Sequence, residues 1–480
     1  MKAGDAEIRI DHGLSIRPDA GQWHELLKEP SPDRGQRRFR EQLGLPADRP
    51  IILSGHQAGF WHCGILAKYL ATRAGSCRLG AHPAWLVVDQ DDNDPGMIDL
   101  PIRDADGRLQ RHRWRLDPGE RDRAMPTGSA PPIRPRAVAL PTGATAALES
   151  VERGVAAIRA ALDAHADAAS LAEQFSAALA DLISPITEPM ATVSALSIAR
   201  TDLFQEIVDR MRSAPEACAG AYNAARNKLP RLGVRALRID DRRVELPLWR
   251  VRPGHARMPV HAEELGSIPP AELAPRGLLM TGLLRLAGCD LFIHGTGGGG
   301  GDGRSGGDEA SVGYDRITEV WFKSWLDPER ALAPVAVVTA TMRLPLDGDV
   351  VPTAAQIARA QWLAHSAAHS PELLGDDDAQ RQKRDLLATI RNARPGDPRR
   401  AKAYRQMHEL LSGLRLTHAG QLDQLRAEAN RLADDERLSQ IVHDRTWPFP
   451  LHSERSLDEL AGQIERAFGA SIPHARCAGR

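Results

Sequence analysis

The chain has 480 residues, about three times the common domain size of ~150, which predicts two or three structural units. With 42% hydrophobic and 26% charged residues it has the composition of a globular protein with a large core, and a wholly disordered chain is excluded. The 62 basic and 63 acidic residues leave a formal net charge of -1, so no global field would attract nucleic acid or an anionic membrane.

Targeting and redox signals point to the reduced cytoplasm. No apolar run approaches the ~18 residues that a membrane helix needs, and the first 20 residues carry acids instead of an apolar stretch. The five cysteines are scattered and form no CxxC motif, which predicts neither a disulfide framework nor a zinc knuckle. We expect a cytoplasmic protein with a small-molecule substrate and no nucleic-acid or membrane partner.

Residues 50–90 have the pattern of a strand, a helix and a second strand. The apolar run 50–53 predicts a short buried strand that ends at Ser54-Gly55, and 84–88 predicts a second strand that stops at Asp89. Apolar residues recur at helical spacing between them. This βαβ pattern predicts parallel pairing with a right-handed crossover.

Strands and helices continue to alternate as far as residue 345. The predicted elements are a hairpin at 100–116, helices at 151–162 and 171–182, a strand at 192–198, a helix at 203–212, a meander at 235–250, a helix at 278–286, a strand at 290–294, a helix at 315–326 and an edge strand at 335–341. Residues 119–143, rich in Pro and Arg, are predicted to form a surface loop. The alternation predicts an α/β fold for residues 1–345, with a Rossmann-like, doubly wound parallel sheet as its core.

The pattern changes after Pro352. Residues 354–392 are predicted to be helical with one break at Ser370-Pro371, and 398–442 to be one long helix with apolar residues at spacings of four and three. Together these segments predict an α-helical hairpin, a coiled-coil arm at 352–445. The tail, 446–480, is predicted to dock back on the core.

The arm is predicted to form a homodimer. The partner helix is shorter than the long helix, which would leave part of the apolar stripe exposed in a monomer. Leu411, Leu414 and Leu425 are the positions expected to be buried in the interface. The alternative is an arm that folds back onto its own core.

The first candidate site segment, SGHQAGFWHCG at 54–64, joins the first strand to its helix. Ligands bind at the carboxyl ends of parallel strands, where glycines admit a phosphate and a helix N-terminus supplies N–H donors. The alternative is a tight turn in which Gly64 serves helix–sheet packing. The ligand-binding candidates are Ser54, Gly55, Gln57, Gly59 and Gly64, and the catalytic candidates are His56 and His62.

The second candidate segment, DQDDND at 89–94, follows the second strand directly. Its carboxylates and amides are suited to holding Mg²⁺ or to gripping hydroxyl and amine groups. Asp89 and Asp92 are the catalytic candidates, Asp91 and Asp94 the ligand-binding ones, and Asp89, Asp91 and Asp92 the possible magnesium ligands. The alternative is a solvated acidic loop.

The third candidate segment is the glycine run after the strand at 290–294. Successive N–H groups in such a run can cradle a phosphate, although a run of this length is also typical of an insertion. We expect His294, Gly295 and Gly297 to serve the site, with Tyr314 and Asp315 following, and residues 299–312 to be a mobile loop.

Other catalytic motifs have little support. Cys63 lies beside His62 but early in an apolar helix, where a cysteine is usually a core residue. The chain has no GxSxG and no HExxH motif. His365 and His369 are four residues apart on a predicted helix, but no third metal ligand lies nearby in the sequence.

Three stretches resemble one family, the cysteine ligases of bacillithiol synthesis (the BshC family). SGHQAGFWHCGILAKYLA, at 54–71, is similar to the family's TGQQAG-type strand–helix junction, with His56 in place of a glutamine. AWLVVDQDDNDPGMI, at 84–98, resembles its strand that ends in an acidic EDHD-like cluster. AYNAARNKLPRLG, at 221–233, and the C-terminal helical hairpin follow in the same order.

The match to the acidic cluster has two alignments. Without a gap, Asp89 and Asp92 fall on the ends of the cluster, whereas a shift of two places residues 91–94 there. The glycine run after His294 departs from the family's pattern. The fold is therefore expected to carry over better than the substrate, as in a divergent paralogue.

The resemblance implies a Rossmann-type nucleotide-binding core, related to class I synthetase-like nucleotidyltransferases, with a coiled-coil arm that forms a dimer. In that family the reaction joins cysteine to glucosaminyl-malate. We therefore expect an enzyme that binds a nucleotide or another phosphate-bearing ligand, with ATP or ADP and Mg²⁺ as possible cofactors. It would ligate or transfer a small amine or thiol to a small acceptor.

In this hypothesis the glycine turns and the helix N-terminus hold the phosphate. His56 or His62 stabilises developing negative charge, and the aspartates orient the amine or a Mg²⁺ ion. One alternative is a noncatalytic nucleotide- or sugar-binding module that dimerises through its coiled coil. Another is a sugar-nucleotide glycosyltransferase, which the absence of a DxD motif on a β-hairpin disfavours.

Overall fold

The computed structural model describes residues 13–27, 32–117, 125–296, 313–327, 329, 331–346 and 352–469. The chain divides into two compact units. The core unit comprises Met1–Leu344 and Arg445–Arg480, and the helical unit comprises Pro345–Asp444.

Strands lie only in the core unit among the described residues. They are, in chain order, β1 Gly13–Arg17, β2 Ile51–Gln57, β3 His82–Val88, β4 Met97–Arg103, β5 Leu109–Arg115, β6 Thr145–Ala146, β7 Ala191–Ser194, β8 Glu245–Arg250, β9 Met258–His261, β10 Leu273–Pro275, β11 Leu291–His294 and β12 Val335–Thr341.

The longer helices occur in both units. They are, in chain order, α1 Arg34–Gln42, α2 Cys63–Leu79, α3 Glu149–Ala164, α4 Leu171–Ile183, α5 Asp202–Ser213, α6 Pro215–Asn227, α7 Gly277–Leu283, α8 Asp315–Trp325, α9 Ala354–Ser366, α10 Asp377–Asn392, α11 Pro398–Thr417, α12 Ala419–Val442 and α13 Glu454–Ala467. None of the described helices combines the length and the apolar character needed to cross a membrane.

The largest sheet has six strands in the order β1-β12-β11-β2-β3-β7. The strands β12, β11, β2, β3 and β7 pair in parallel, and β1 pairs antiparallel with β12. This arrangement confirms the predicted α/β class with parallel pairing. From β2 the chain builds outward through β3 and β7 on one side, and later through β11 and β12 on the other, so the direction of winding reverses between β2 and β11.

The edge of this sheet differs from the prediction. Strand β12 was expected at the edge, but it lies between β11 and β1. Its side chains alternate between buried and half-buried, as in a strand covered on one face. The N-terminal strand β1 supplies the missing edge by pairing Gly13 with Thr341 through Arg17 with Val337. The edge position depends on this pairing of distant residues.

Helix α2 is buried around most of its circumference. It packs against β2, β3, β12 and α13, and the residues from Cys63 to Thr72 are all buried. A helix enclosed in this way is apolar on every side. One consequence is that a charged residue in its middle, Lys68, is carried into the protein interior.

Two further predictions for the core unit are wrong, one at β7 and one between β5 and β6. The strand predicted at 192–198 ends at Ser194, where the chain turns into one turn of helix, because the Ser194 hydroxyl accepts the Ser197 N–H. Residues 119–143 were expected at the surface, but Thr127, Ala130 and Ile133 are buried. Backbone hydrogen bonds from 127 and 128 to the loop after β3 hold this segment inside.

Two smaller antiparallel sheets complete the core unit. The hairpin expected at 100–116 is formed by β4 and β5, which pair along their lengths, with β6 on the other side of β4. The meander expected at 235–250 is instead a sheet in the order β10-β8-β9. That sheet carries Arg257 toward the acidic loop because Arg257 directly precedes β9.

In the helical unit, α10 packs against α11 and α9 packs against α12. The single helix predicted at 398–442 is wrong, because it is broken at His418 (φ −107°, ψ 24°) between α11 and α12. The His418 Nε2 atom lies 3.2 Å from Oδ2 of Asp376, the residue that caps α10. This contact and the low helix propensity of Gly420 account for the break.

The predicted interface leucines have partners within their own unit. Leu414 is buried in a cluster with Ala367, Leu374 and Leu422, and Leu411 and Leu425 are partly buried against it. The exposed large apolar side chains of this unit, among the residues described, are Trp362, Tyr404 and Leu416.

Candidate functional site

The candidate site lies where β2 and β11 end, at the reversal of the sheet. His56 and Gln57 are the last residues of β2, and Gly295 follows β11. All three are half-buried, as is Gly55 before His56, whereas residues 51–54 and 291–294 are buried. Polar side chains therefore meet at the edge of a closed apolar core, which is the position predicted from the sequence.

The Lys68 side chain lies between the ends of β2 and β11. Its Nζ atom donates to the Gly55 carbonyl oxygen at 2.8 Å and lies 5.6 Å from the centre of the Trp85 ring. A Cβ on Gly295 would lie 3.7 Å from Cδ of Lys68. Lys68 is 5% exposed, and burial lowers the pKa of its ammonium to about 8. No carboxylate contacts it among the described residues.

His56 is neutral at physiological pH. Burial, followed by the nearby Lys68 ammonium, lowers the pKa of His56 to about 3. Its Nδ1 atom lies 3.4 Å from the Gln57 carbonyl oxygen, so the ring donates there only as the Nδ1–H tautomer. In that tautomer Nε2 offers an acceptor to a ligand, whereas in the Nε2–H tautomer it offers a donor.

An arginine that the sequence interpretation missed holds the acidic loop. Nη1 of Arg257 lies 2.6 Å from Oδ1 of Asp91, and Nη2 lies 2.5 Å from Oδ1 of Asp92. The Gln57 amide donates to Oδ2 of Asp91 at 2.9 Å. The guanidinium also lies 4.5 Å from the centre of the Trp249 ring. Two of the predicted site carboxylates are therefore already paired with a cation.

Asp89 and Asp94 have structural partners. Asp89 is buried, contacts the Ser194 hydroxyl and accepts the Leu196 N–H at 2.9 Å, and burial raises the pKa of its carboxyl. Asp94 accepts the Gly96 N–H at 3.1 Å. Asp89 therefore positions the turn after β7.

The carboxylates do not fit the expected magnesium site. Asp89, Asp91 and Asp92 are each occupied by the partners given above, and a Mg²⁺ ion would compete with Arg257 for two of them. Within the described residues no three His, Cys, Asp or Glu side chains are grouped so as to hold a metal ion.

The glycines of the first segment serve packing more than ligand approach. A Cβ on Gly55 would lie 2.5 Å from both Cβ and the carbonyl oxygen of Leu86 on β3. A Cβ on Gly64 would lie 3.0 Å from the Ala340 carbonyl oxygen, so close helix–sheet contact accounts for it. Ser54 is buried and donates to the Ile293 carbonyl oxygen at 2.8 Å. Gly59 has φ +149°, so it is the residue whose backbone requires glycine.

The start of α2 is occupied by the protein itself. His62 caps the helix because its Nδ1 atom accepts the Gly64 N–H at 3.0 Å. The C-terminal segment pairs here too, since the Phe449 N–H donates to the Trp61 carbonyl oxygen at 2.7 Å and Pro448 forms a bridge with His62. The expectation that this N-terminus holds a phosphate and that His62 faces the ligand therefore loses support.

The side chains of His294 and Asp315, both buried, are in contact between the end of β11 and the start of α8. Arg285 extends the cluster, with its Nη1 atom 3.7 Å from Asp315 and its Nη2 atom 2.7 Å from Glu319. Tyr314 packs edge-on against the His294 ring, and burial raises the pKa of its phenol. The cluster anchors both ends of the glycine-rich segment. Gly297 and residues 299–312 lie outside the described residues.

Thiol chemistry finds no support at Cys63, which is fully buried and whose pKa burial raises. A cavity of about 330 Å³ lies away from the strand ends, between α3, α4 and residues 449–458. None of the predicted site residues lines it.

Lys68 and Arg257 are the residues that the sequence interpretation missed. Lys68 could have been found from the sequence, because it lies inside the apolar stretch GILAKYLA. Lysine is rarely buried without a partner, so a lysine on a buried helix indicates a functional or structural role. Arg257 carried no such signal, since it lies in a loop rich in arginine.

No protein-family model matches the chain, and no curated protein sequence matches it. The resemblance to the BshC family therefore rests on the quoted stretches of sequence alone.

Proposed function

We propose that the core unit is a Rossmann-like enzyme that binds a nucleotide or another phosphate-bearing ligand where β2 and β11 end. The supporting observation is the strand order. Five parallel strands wind outward in two directions from β2, and the reversal lies beside His56, Gln57 and Lys68. In open α/β sheets, the crevice at such a reversal is where ligands bind.

The reaction that we propose ligates or transfers a small amine or thiol to a small acceptor. Gln57 and Asp91 orient the incoming group, since their side chains already bond to each other at the rim. In its Nε2–H tautomer the neutral His56 ring donates to negative charge that develops on the acceptor. The resemblance at 54–71 and 84–98 supports a cysteine-type ligase, and the changed glycine-rich segment favours a different acceptor.

Ligand-induced stabilisation tests this proposal. Thermal unfolding would be followed with ATP, ADP, sugar nucleotides, glucosaminyl-malate and cysteine, each with and without Mg²⁺. We expect a nucleotide to raise the melting temperature of the wild type, with a weaker effect in Gln57→Ala. Gln421→Ala, at an exposed position of the helical unit, is the matched control. Equal melting temperatures with and without every nucleotide would refute the proposal.

We also infer that the helical unit mediates a homodimer. The support is apolar exposure, since Leu416 is 81% and Trp362 56% exposed. Contiguous exposed apolar surface often marks a protein–protein interface.

A further inference from the structure

The ammonium of Lys68 differs from the other buried cations of the core unit. Arg40 and Arg285, both 2% exposed, contact carboxylates: Arg40 lies 3.0 Å from Asp290, and Arg285 lies 2.7 Å from Glu319. Lys68 is as deeply placed, but its one hydrogen-bond acceptor among the described residues is a neutral carbonyl oxygen. A buried charge without a counter-charge is costly and is usually paired.

Among the described residues, the groups that neighbour Lys68 leave its positive charge uncompensated. His56, on β2, is neutral at pH 7, and His62, at the start of α2, accepts a backbone N–H. Asp91, in the acidic loop after β3, acts on the pKa of His56, but Arg257 already binds its carboxylate. Among the described residues, the side chains near Lys68 therefore include no anion that pairs with its charge.

We propose that Lys68, with the half-buried strand ends at Gly55 and Gly295, forms an anion site that takes the phosphate or pyrophosphate group of the ligand. The inference rests on the proposed function for the identity of that ligand. The ammonium can donate two N–H bonds beyond the one given to Gly55, and the strand ends beside it, Gly55 and Gly295, are half-buried. Lys68 replaces the helix N-terminus as the source of positive potential for the phosphate.

This assignment predicts a specific pH dependence. The anion binds the protonated amine, so affinity falls as the pH rises through 8, by about tenfold or more between pH 7 and 9.5. Binding also raises the pKa of Lys68, and the complex therefore takes up a proton. At pH 8.5 the uptake is expected to exceed roughly half a proton per site.

Calorimetry with ADP, inorganic pyrophosphate and adenosine tests the site. Titrations at pH 8.5 in buffers of different ionisation enthalpy measure proton uptake directly in the wild type. Lys68→Met keeps an unbranched side chain one atom shorter and removes the charge. We expect it to weaken the binding of ADP and pyrophosphate at least tenfold and to abolish the proton uptake. Lys323→Met, at an exposed position, is expected to change neither. Adenosine, which has no phosphate, is expected to bind without proton uptake or not at all.

The outcomes separate the two proposals. If pyrophosphate binds with proton uptake through Lys68 but no nucleotide binds, the nucleotide function fails and the anion site stands. If ADP binds equally to the wild type and to folded Lys68→Met, without proton uptake, the anion site is refuted and the proposed function stands. Failure of ADP and pyrophosphate to bind the wild type at all refutes the anion site as well. Should Lys68→Met not fold, the wild-type proton uptake alone decides.

Discussion

Nη1 of Arg257 lies 2.6 Å from Oδ1 of Asp91, joining the loop before β9 to the loop after β3. Both side chains are largely withdrawn from solvent, with 16% and 25% exposure. The same guanidinium reaches Asp92 and the Gln90 carbonyl oxygen. The pair therefore sets the position of the acidic loop relative to the end of β2, where Gln57 contacts Asp91.

This pair should be energetically coupled. In a double-mutant cycle with Arg257→Met and Asp91→Asn, we expect a coupling of about 1 to 2 kcal/mol in the free energy of unfolding, because the contact is partly buried and charge-assisted. Urea unfolding measures it. The exposed pair Arg212 and Asp209 is the control, with an expected coupling below about 0.5 kcal/mol. A coupling energy of zero between Arg257 and Asp91 would mean that other contacts hold the acidic loop.

Removing the buried charge of Lys68 should stabilise the protein. Its folded pKa of about 8 lies below the ordinary value of 10.5, so protonating it opposes folding at pH 7. Lys68→Met is expected to raise the free energy of unfolding at pH 7 by about 1 to 3 kcal/mol. The gain should shrink as the pH rises from 8 to 10.5, since the unfolded lysine then loses its proton too. A variant less stable than the wild type at pH 7 would contradict this account.

His56 should make the protein sensitive to acid. Its folded pKa of about 3 lies below the ordinary 6.5, so the unfolded chain takes up a proton in this window while the native state does not. Stability is therefore lost as the pH falls from 6.5 toward 3. Between pH 7 and 5, the wild type should lose about 1 to 2 kcal/mol more than His56→Gln. His255→Gln, at an exposed position, serves as the control, and equal losses in His56→Gln and the wild type would refute the prediction.

Gly55 should tolerate no side chain. A Cβ there would lie 2.5 Å from backbone and side-chain atoms of Leu86, so Gly55→Ala is expected to destabilise the core unit by about 1 to 3 kcal/mol. Gly220, on α6, has no atom within 4 Å of an added Cβ, and Gly220→Ala should stabilise by about 0.5 to 1 kcal/mol. Thermal unfolding of the two variants measures the contrast. Equal melting temperatures for Gly55→Ala and the wild type would show that β2 and β3 can separate.

The homodimer is tested best at Leu416. Sedimentation velocity at micromolar concentration should show a dimer for the wild type and a monomer for Leu416→Glu, which adds a charge to an exposed apolar position. Gln421→Glu is the control, since it adds the same charge at an exposed polar position of α12. Leu414→Glu is unsuitable because Leu414 packs in its own unit and its loss would unfold the helices. A monomeric wild type would refute the dimer.

Local patterns were sufficient for much of the fold. Apolar runs bounded by glycine and aspartate predicted β2, β3 and β11, and helical spacing of apolar residues predicted α3, α4 and α5, because these signals lie within a few residues of each other. The same signals placed His56, Gln57 and Asp91 at strand ends. They also placed the parallel sheet in the first 345 residues.

The sequence by itself therefore determined which segments become strands and helices and which polar residues stand at strand ends. Only the tertiary structure decided that β1 forms the edge beside β12, that His418 breaks the long helix, and that Arg257 binds the acidic loop. It also decided that Lys68 is buried, because α2 is enclosed by β2, β3, β12 and α13, which are far apart in the chain. The physical reason is common to all four. Each depends on contacts between segments that are distant in the chain, and the free energy of such contacts cannot be read from the local spacing of residues.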